Sequence, residues 1–303
     1  MRTKNNNDTG DAVRRPYRLL RFVIVLILAT YLGVILSSAL AITTMLTIPL
    51  KGNVGSFDPQ YENIHFKTAD GLSLSGWYVA PKNGAVILLL HTYYMDRRQV
   101  LPVAKMLVRH GYGVLLYDQR ASGESDGDVR TLGWRDIPDV SLAVSWAQSQ
   151  PGVEKTRIGA YGCSMGGAIA LAAAAQNPAL AAVAADAPSH LAFDEAMPVY
   201  DGPYWFINFP MYGMYFSFVA ARAQTLPPMS TQQAAQMIAP RPLLLISTDQ
   251  PGEVERVDGF YRTAGKPTSR WHIPKAGHCG GPGSHPAEYE QHLVEFFDGA
   301  LLK

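Results

Sequence analysis

A stretch of 29 residues without a charged side chain, residues 22–50, most constrains what this chain can form. As a helix rising about 1.5 Å per residue, it is long enough to cross the roughly 30 Å hydrocarbon core of a bilayer. Residues 1–21 before it contain six Lys or Arg and two Asp, a net charge of +4. The positive-inside rule predicts that this basic tail stays in the cytoplasm. The sequence therefore indicates a single-pass membrane protein whose remaining chain lies on the extracytoplasmic side.

A cleaved signal peptide is the alternative for the same segment. The small-x-small pattern that ends a signal peptide is present at Ala39-Leu40-Ala41. The apolar run continues past Ala41 and exceeds the usual roughly 7–15 residues of a signal peptide's apolar region. This length favours a retained anchor and leaves the signal peptide as the second interpretation.

Charge and cysteine content limit the function classes. The whole chain of 303 residues has a formal net charge of +1, which supplies no concentrated positive field and argues against a nucleic-acid partner. Its two cysteines are too few for a disulfide scaffold or a four-thiolate zinc site. The sequence has no metal-binding or nucleotide-binding motif of the common kinds, so no cofactor and no metal is expected.

Short apolar runs alternate with amphipathic stretches from residue 61 onward, which predicts one α/β domain over residues 61–303 with a mostly parallel central sheet flanked by helices. The predicted strands are residues 64–68, 72–78, 85–90, 113–117, 157–161, 181–185, 242–247 and 269–273. The predicted helices are residues 100–110, 134–148, 165–176, 254–264 and 285–302. Residues 190–240 do not follow the alternation and are interpreted as an insertion.

The pattern G-x-S-x-G occurs at residues 162–166, between a predicted strand and an Ala-rich predicted helix. In this context the pattern indicates a nucleophile elbow, a turn so tight that the residues flanking the serine must lack bulk. We therefore expect Ser164 to be a catalytic nucleophile.

Several segments resemble the α/β-hydrolase superfamily over most of the chain after residue 61. His91-Thr92 follows a strand as the family's H-G motif does, and residues 118–125 are similar to its D-x-R-x-x-G-x-S loop. Residues 277–281 and 286–289 look like a branch of bacterial membrane-associated, serine-aminopeptidase-like and lysophospholipase-like hydrolases. The resemblance implies the α/β-hydrolase fold with a cap inserted after the sixth strand.

A serine hydroxyl needs a general base oriented by a carboxylate, in the chain order Ser, Asp or Glu, His. Of the eight histidines, His278 follows the last predicted strand and fits this order best, with His190 as a rival. The family's acid lies in the loop after residues 243–247, and counting back from the helix that ends at Ala264 favours Asp249 over Glu253. The predicted triad is thus Ser164, Asp249 and His278.

An oxyanion hole needs two N–H donors, which we expect from Tyr93 and Met165. Thr92 stands where the family commonly has glycine, which makes the first donor less certain. Asp118 and Arg120 are interpreted as a structural ion pair below the site. Cys163 and Cys279 each adjoin a predicted catalytic residue and are interpreted as small buried thiols, with a disulfide as the alternative.

Ten of the 26 residues from 193 to 218 are aromatic, within the predicted cap. An apolar cap beside a membrane segment favours an uncharged small-molecule or lipid ester as substrate. The leading hypothesis is a serine hydrolase that cleaves carboxylic esters through an acyl-enzyme. A peptidase of the same fold and a non-catalytic membrane-anchored scaffold are the alternatives.

Overall fold

The computed structural model describes residues 8–56, 61–196 and 202–303. It begins with the 40-residue helix α1 (Asp8–Thr47), which starts inside the predicted basic tail. The section Tyr17–Thr47 is long and apolar enough to span a membrane. The part of α1 that packs on the rest of the chain is one stripe of buried residues spaced by four: Ile35, Ala39, Thr43 and Thr47.

Eight strands form the central sheet, and each predicted strand is present with both ends within two residues of the prediction. They are β2 (Glu62–Lys67), β3 (Ser73–Val79), β4 (Val86–Leu90), β5 (Gly113–Tyr117), β7 (Ile158–Cys163), β8 (Leu180–Asp186), β9 (Leu243–Thr248) and β10 (Thr268–Ile273). Their order is β10-β9-β8-β7-β4-β5-β3-β2. Only the pairs β2–β3 and β3–β5 are antiparallel, so the sheet is mostly parallel, as predicted.

Helices cover both faces of this sheet because its central strands are buried on both sides. The helices are α2 (Leu101–Arg109), α3 (Asp136–Gln148), α4 (Met165–Gln176), α8 (Glu253–Thr263), α9 (Gly281–Ser284) and α10 (Pro286–Leu301). Alternate residues of β4 point to opposite cores: Val86 and Leu88 pack with α3 and α4, whereas Ile87 and Leu89 pack with α2 and α10.

The predicted insertion between β8 and β9 is helical. It contains α5 (Phe193–Ala196), α6 (Trp205–Ala223) and α7 (Thr231–Ile238). One face of the second half of α6 is buried through Tyr215, Val219 and Ala223. These residues join the core cluster that also contains Ala39 of α1, so the cap links α1 to the domain.

The end of α1 is fixed to the domain by a short pair of parallel strands, β1 (Leu50–Lys51) and β6 (Ser122–Gly123). Arg130 adds hydrogen bonds from its backbone N–H to the Thr47 carbonyl (3.0 Å) and from Nε to the Ile48 carbonyl (2.6 Å). Leu50, the last residue of the predicted membrane segment, and Lys51 after it are therefore held against the folded domain.

Candidate active site

Ser164 lies at the sharp turn between β7 and α4. Its backbone has φ 54° and ψ −118°, a conformation that costs a non-glycine residue free energy and is common at functional sites. Its N–H donates to the carbonyl of Asp186 (2.8 Å), and its own carbonyl accepts from Ala168 (3.1 Å) and Ser189 (3.1 Å). The hydroxyl lies 3.1 Å from the Ser189 hydroxyl. The turn therefore holds the serine in the strained geometry of an elbow.

Two glycines make this turn possible. A Cβ atom on Gly162 would lie 2.2 Å from the carbonyl oxygen of Gly166, and one on Gly166 would lie 2.2 Å from the carbonyl oxygen of Leu90. Contacts this close to backbone atoms exclude any side chain. The spacing in G-x-S-x-G thus follows from the approach of β7, α4 and β4 at one point.

His278 lies in the loop after β10 and interacts with Glu253. Its Nδ1 is 2.6 Å from the Oε2 atom of Glu253, whose side chain is fully buried while the imidazole is 37% exposed. The other carboxylate oxygen accepts from the N–H (2.6 Å) and hydroxyl (2.8 Å) of Thr248. Burial alone would raise the pKa of Glu253, but the hydrogen bonds from His278 and Thr248 outweigh it and hold the pKa below its ordinary value.

Asp249, the acid preferred from the sequence, has other partners. Its carboxylate is half exposed, lies 3.1 Å from Nε2 of His272, and accepts from the N–H of Lys275 (2.6 Å). That backbone hydrogen bond lowers the pKa of Asp249. The expected pairing of Asp249 with His278 is therefore corrected: the buried carboxylate at the first position of α8, Glu253, occupies that place.

A disulfide joins Cys163 to Cys279, with their Cα atoms 6.0 Å apart. The two cysteines directly precede Ser164 and directly follow His278 in the sequence. The interpretation of both as small buried thiols is corrected. The bond ties the histidine loop to the elbow strand and so keeps the two candidate catalytic residues close.

Ser164 and His278 line one cavity of about 630 Å³. The hydroxyl of Ser164 bonds Ser189 rather than His278 among the described residues. The other lining residues are mostly apolar: Leu46, Thr92, Tyr93, Tyr94, Met95, Gln99, Leu132, Met165, Ser189 and Cys279. Both predicted oxyanion residues, Tyr93 and Met165, therefore lie at the same cavity as the serine.

The loop that holds Tyr93 is connected to the end of α1. The Tyr93 hydroxyl donates to the Leu46 carbonyl (2.8 Å), and Nη1 of Arg130 donates to the Tyr93 carbonyl (2.8 Å). The Arg130 guanidinium also lies over the Tyr93 ring, 4.5 Å from its centroid. Because Arg130 holds both this loop and the last turn of α1, the position of the loop depends on the end of α1.

Asp118 and Arg120 do not pair with each other, which corrects the interpretation from sequence. Asp118 binds Nη1 of Arg97 (2.6 Å). Arg120 binds Asp139 (2.5 Å) and Asp70 (2.7 Å). Each residue thus stabilises its own buried ion pair beneath the loop.

Asp186, at the end of β8, is a buried acid close to the site. Its Oδ2 accepts from the hydroxyl of Tyr289 (2.8 Å). Burial raises the pKa of Asp186 to about 6, opposed by the Tyr289 hydrogen bond and reinforced by the negative charge of Glu253. Its backbone carbonyl holds the N–H of Ser164, so this residue supports the elbow from below.

Residues 70–249, more than half of the chain, match the family described as X-Pro dipeptidyl-peptidase (S15 family). The chain belongs to this S15 family. Solved structures place it in the α/β-hydrolase superfamily, as the sequence motifs implied. An esterase of Pyrococcus furiosus, Pf2001, is similar over 84% of this chain and 98% of its own, with 25% identity and a TM-score of 0.68. The α/β hydrolase GrgF from Penicillium shares the fold over 81% of this chain and all of its own, with 21% identity and a TM-score of 0.62.

Curated relatives match this S15-family chain over shorter segments. The polyketide transferase grgF of Penicillium is 35% identical over 130 residues, 42% of this chain and 44% of its own. The thiohydrolase aneE of Aspergillus aculeatus is 36% identical over 118 residues, 38% of this chain and 37% of its own. The chain thus spans less than half the length of either relative.

Some residues at the site of this S15-family chain carry no signal in the sequence. Ser189 follows β8 and contacts Ser164, and Thr248 ends β9 and contacts Glu253. Both contacts depend on how the fold arranges these neighbouring parallel strands. Arg130 is an ordinary loop arginine in the sequence. The sequence placed Glu253 in the loop before a helix predicted from residue 254, and neither its position as the first residue of α8 nor its burial was predicted.

Proposed function

We propose that the protein is a serine hydrolase that cleaves carboxylic esters through an acyl-enzyme intermediate. The observation that carries this proposal is the geometry at one cavity: Ser164 in a strained elbow and His278 bonded to the buried carboxylate of Glu253. A serine, a histidine and an orienting carboxylate are the parts that nucleophilic acyl transfer requires.

The proton transfers of ester hydrolysis follow from the hydrogen bond between Nδ1 of His278 and Glu253. With Nδ1–H donating to Glu253, the lone pair of Nε2 is free to take the proton of Ser164 as its Oγ attacks the ester carbonyl. The backbone N–H groups of Tyr93 and Met165 then stabilise the oxyanion. His278 returns the proton to the leaving alcohol, and a water molecule activated by the same imidazole hydrolyses the acyl-enzyme.

Glu253 takes the role that the sequence gave to Asp249. A buried carboxylate keeps its full electrostatic effect on the imidazole, since little solvent screens it. Asp249 is half exposed, and its two carboxylate oxygens already bind His272 and the Lys275 N–H. It is therefore not placed to orient His278.

The substrate we infer is an uncharged ester with an apolar acyl part, such as a lipid ester. Leu46, Tyr93, Met95, Leu132 and Met165 supply an apolar wall beside Ser164, the kind of surface that an acyl chain prefers. The activities named for similar proteins, an esterase, a thiohydrolase and a polyketide transferase, support acyl chemistry.

We further propose that α1 is a retained anchor and that the domain lies on the extracytoplasmic side. Cleavage after Ala41 would remove the buried Ile35 and Ala39 from the cap interface, which disfavours a signal peptide. The disulfide between Cys163 and Cys279 fits an oxidising compartment, in agreement with the basic tail on the inner side.

Peptidase activity is the second candidate, favoured by the family description. Recognition of a free peptide amine needs an available carboxylate near the cap. The carboxylate of Glu195 accepts hydrogen bonds from the N–H groups of Thr231 (2.8 Å) and Gln232 (2.7 Å) at the start of α7. This carboxylate is therefore not available to bind a peptide amine. The other two acids near the cap in the sequence are Asp194 and Asp201; the side chain of Asp194 and all of Asp201 lie outside the described part of the chain. These contacts favour the ester.

The test compares ester and peptide substrates on the full chain in detergent. We expect hydrolysis of p-nitrophenyl esters that increases with acyl length, no cleavage of X-Pro amide substrates, and loss of activity in Ser164→Ala. Cleavage of X-Pro amides at a rate above that of the esters would favour the peptidase. No turnover of either class by folded protein would favour the non-catalytic scaffold.

A further inference from the structure

The first turns of α6 carry an exposed aromatic surface that the hydrolase chemistry does not use. We define the cap tip as Tyr204, Trp205, Phe206 and Phe209, whose exposed fractions lie between 48% and 66%. No charged residue occurs in α6 before Arg222. Four large exposed aromatics at one helix end are unusual on a surface that faces only water.

The cap tip lies beside the candidate membrane span, far from the end of that span at the domain. The hydroxyl of Tyr31, in α1, donates to the carbonyl of Phe206. Tyr31 precedes Thr47, where α1 meets Arg130, by 16 residues, or about 24 Å of helix. The start of α6 therefore contacts α1 about 24 Å, measured along α1, from the point where α1 meets Arg130.

Charged residues bracket the part of α1 that a bilayer can hold. Arg21 precedes the uncharged stretch, and Arg130 binds the carbonyls of Thr47 and Ile48 at its other end. The 26 residues from Arg21 to Thr47 span about 39 Å, close to the roughly 40–45 Å of a bilayer with its headgroups. Tyr31 lies about 15 Å from Arg21 along the helix, well inside the hydrocarbon.

The backbone at the cap tip is suited to a lipid environment, where each polar group needs an internal partner. The N–H of Trp205 donates to Gly202 (3.1 Å), and the N–H groups of Ile207 (2.9 Å) and Asn208 (3.0 Å) donate to Tyr204. The Phe206 carbonyl accepts from Tyr31.

We propose that the cap tip inserts into the bilayer beside α1, so that the protein contacts lipid through two elements. The inference rests on α1 being a membrane anchor. The partner is the lipid around the middle of the bilayer, because the cap tip contacts α1 at Tyr31, about 24 Å from the end of α1 at the domain and about 15 Å from Arg21. The cap is then a membrane-inserted element and not only a lid over Ser164.

Trp205 provides the test, because it is the exposed one among five tryptophans. Trp77 and Trp134 are buried, and Trp146 and Trp271 are half-buried in the domain. The full chain is reconstituted in phosphatidylcholine vesicles with or without bromine on the acyl chains, and the fluorescence of wild type minus that of Trp205→Phe reports the cap tip. We expect the brominated lipid to remove most of this difference signal and aqueous iodide to leave it unchanged.

Quenching by iodide without quenching by brominated lipid would place the cap tip in water and overturn the proposal. Protection from both quenchers would mean that protein, such as a second copy, covers the tip, and would overturn it as well. A second reporter, Phe209→Trp in the Trp205→Phe background, must give the same result one turn further along α6.

Flotation of the vesicles separates this inference from the anchor. Protein that fails to float with vesicles contradicts the anchor itself, whereas protein that floats with an unquenched Trp205 contradicts only the insertion of the cap. Labelling of Ser164 by a fluorophosphonate in the same vesicles reports the catalytic proposal independently of both.

Discussion

Nδ1 of His278 lies 2.6 Å from Oε2 of Glu253, a carboxylate that Thr248 holds from its other side. We predict that Glu253→Gln lowers kcat by about 10²–10⁴-fold with little change in KM, because the amide no longer stabilises the imidazolium formed in the transition state. Steady-state ester hydrolysis measures this effect.

Asp249→Asn is the matched control for that variant. It changes a carboxylate four residues away that binds His272 and Lys275 instead, so we expect kcat within about twofold of wild type. An inactive Asp249→Asn beside an active Glu253→Gln would restore the assignment made from the sequence.

The disulfide between Cys163 and Cys279 closes a loop with a sequence separation of 116. Replacing both cysteines with serine is predicted to lower the free energy of unfolding by about 2–4 kcal/mol, because the reduced chain has more unfolded conformations. Thermal unfolding with and without dithiothreitol checks this. The reductant should lower the midpoint of wild type and leave that of the double variant unchanged, and an insensitive wild type would contradict the bond.

Arg130 connects the end of α1 to the loop of Tyr93. In Arg130→Met this loop loses the hydrogen bond to the Tyr93 carbonyl and the guanidinium over the Tyr93 ring, and we expect kcat to fall by about 10–100-fold because an oxyanion donor is misplaced. Arg130→Lys should rescue little, since a lysine cannot replace the planar fork. Arg109→Met, which removes an exposed pair with Glu290, is the control and should keep wild-type kcat. Equal losses in both variants would contradict the positioning role.

Asp186 makes stability depend on pH. Its pKa in the folded protein is about 6, above the ordinary 3.8, so the folded state holds a proton that the unfolded chain has lost between these values. The contribution of Asp186 to the free energy of unfolding therefore falls as the pH rises from about 4 to about 6, by up to roughly 3 kcal/mol. Asp186→Asn has no such proton, and its stability relative to wild type should increase over this range. A difference between the two proteins that stays constant with pH would contradict this account.

The sheet and the elbow were predictable because their signals are local. Gly162 and Gly166 are required because a Cβ atom at either position would lie 2.2 Å from a backbone oxygen. The central strands are continuous apolar runs because both faces of the sheet are covered. The same rules predicted α4 as residues 165–176, which are its observed bounds.

The choice of acid was not predictable, because it depends on which carboxylate the turn after β9 buries. Asp249 and Glu253 are four residues apart, and only the fold shows one half exposed and the other fully buried. The pairing of Arg130 with the end of α1 is similarly a long-range contact across 82 residues. No periodicity or spacing in the sequence reports such contacts.

Labelling with a fluorophosphonate probe tests the central claim most directly, since the probe reacts with a serine only when a neighbouring base activates it. Wild type, Ser164→Ala and Glu253→Gln are labelled side by side after thermal unfolding confirms that each is folded. The account predicts rapid labelling of wild type, none of Ser164→Ala, and slow labelling of Glu253→Gln. Folded wild type that remains unlabelled, or Ser164→Ala that labels as fast as wild type, would contradict the assignment of Ser164 as the nucleophile.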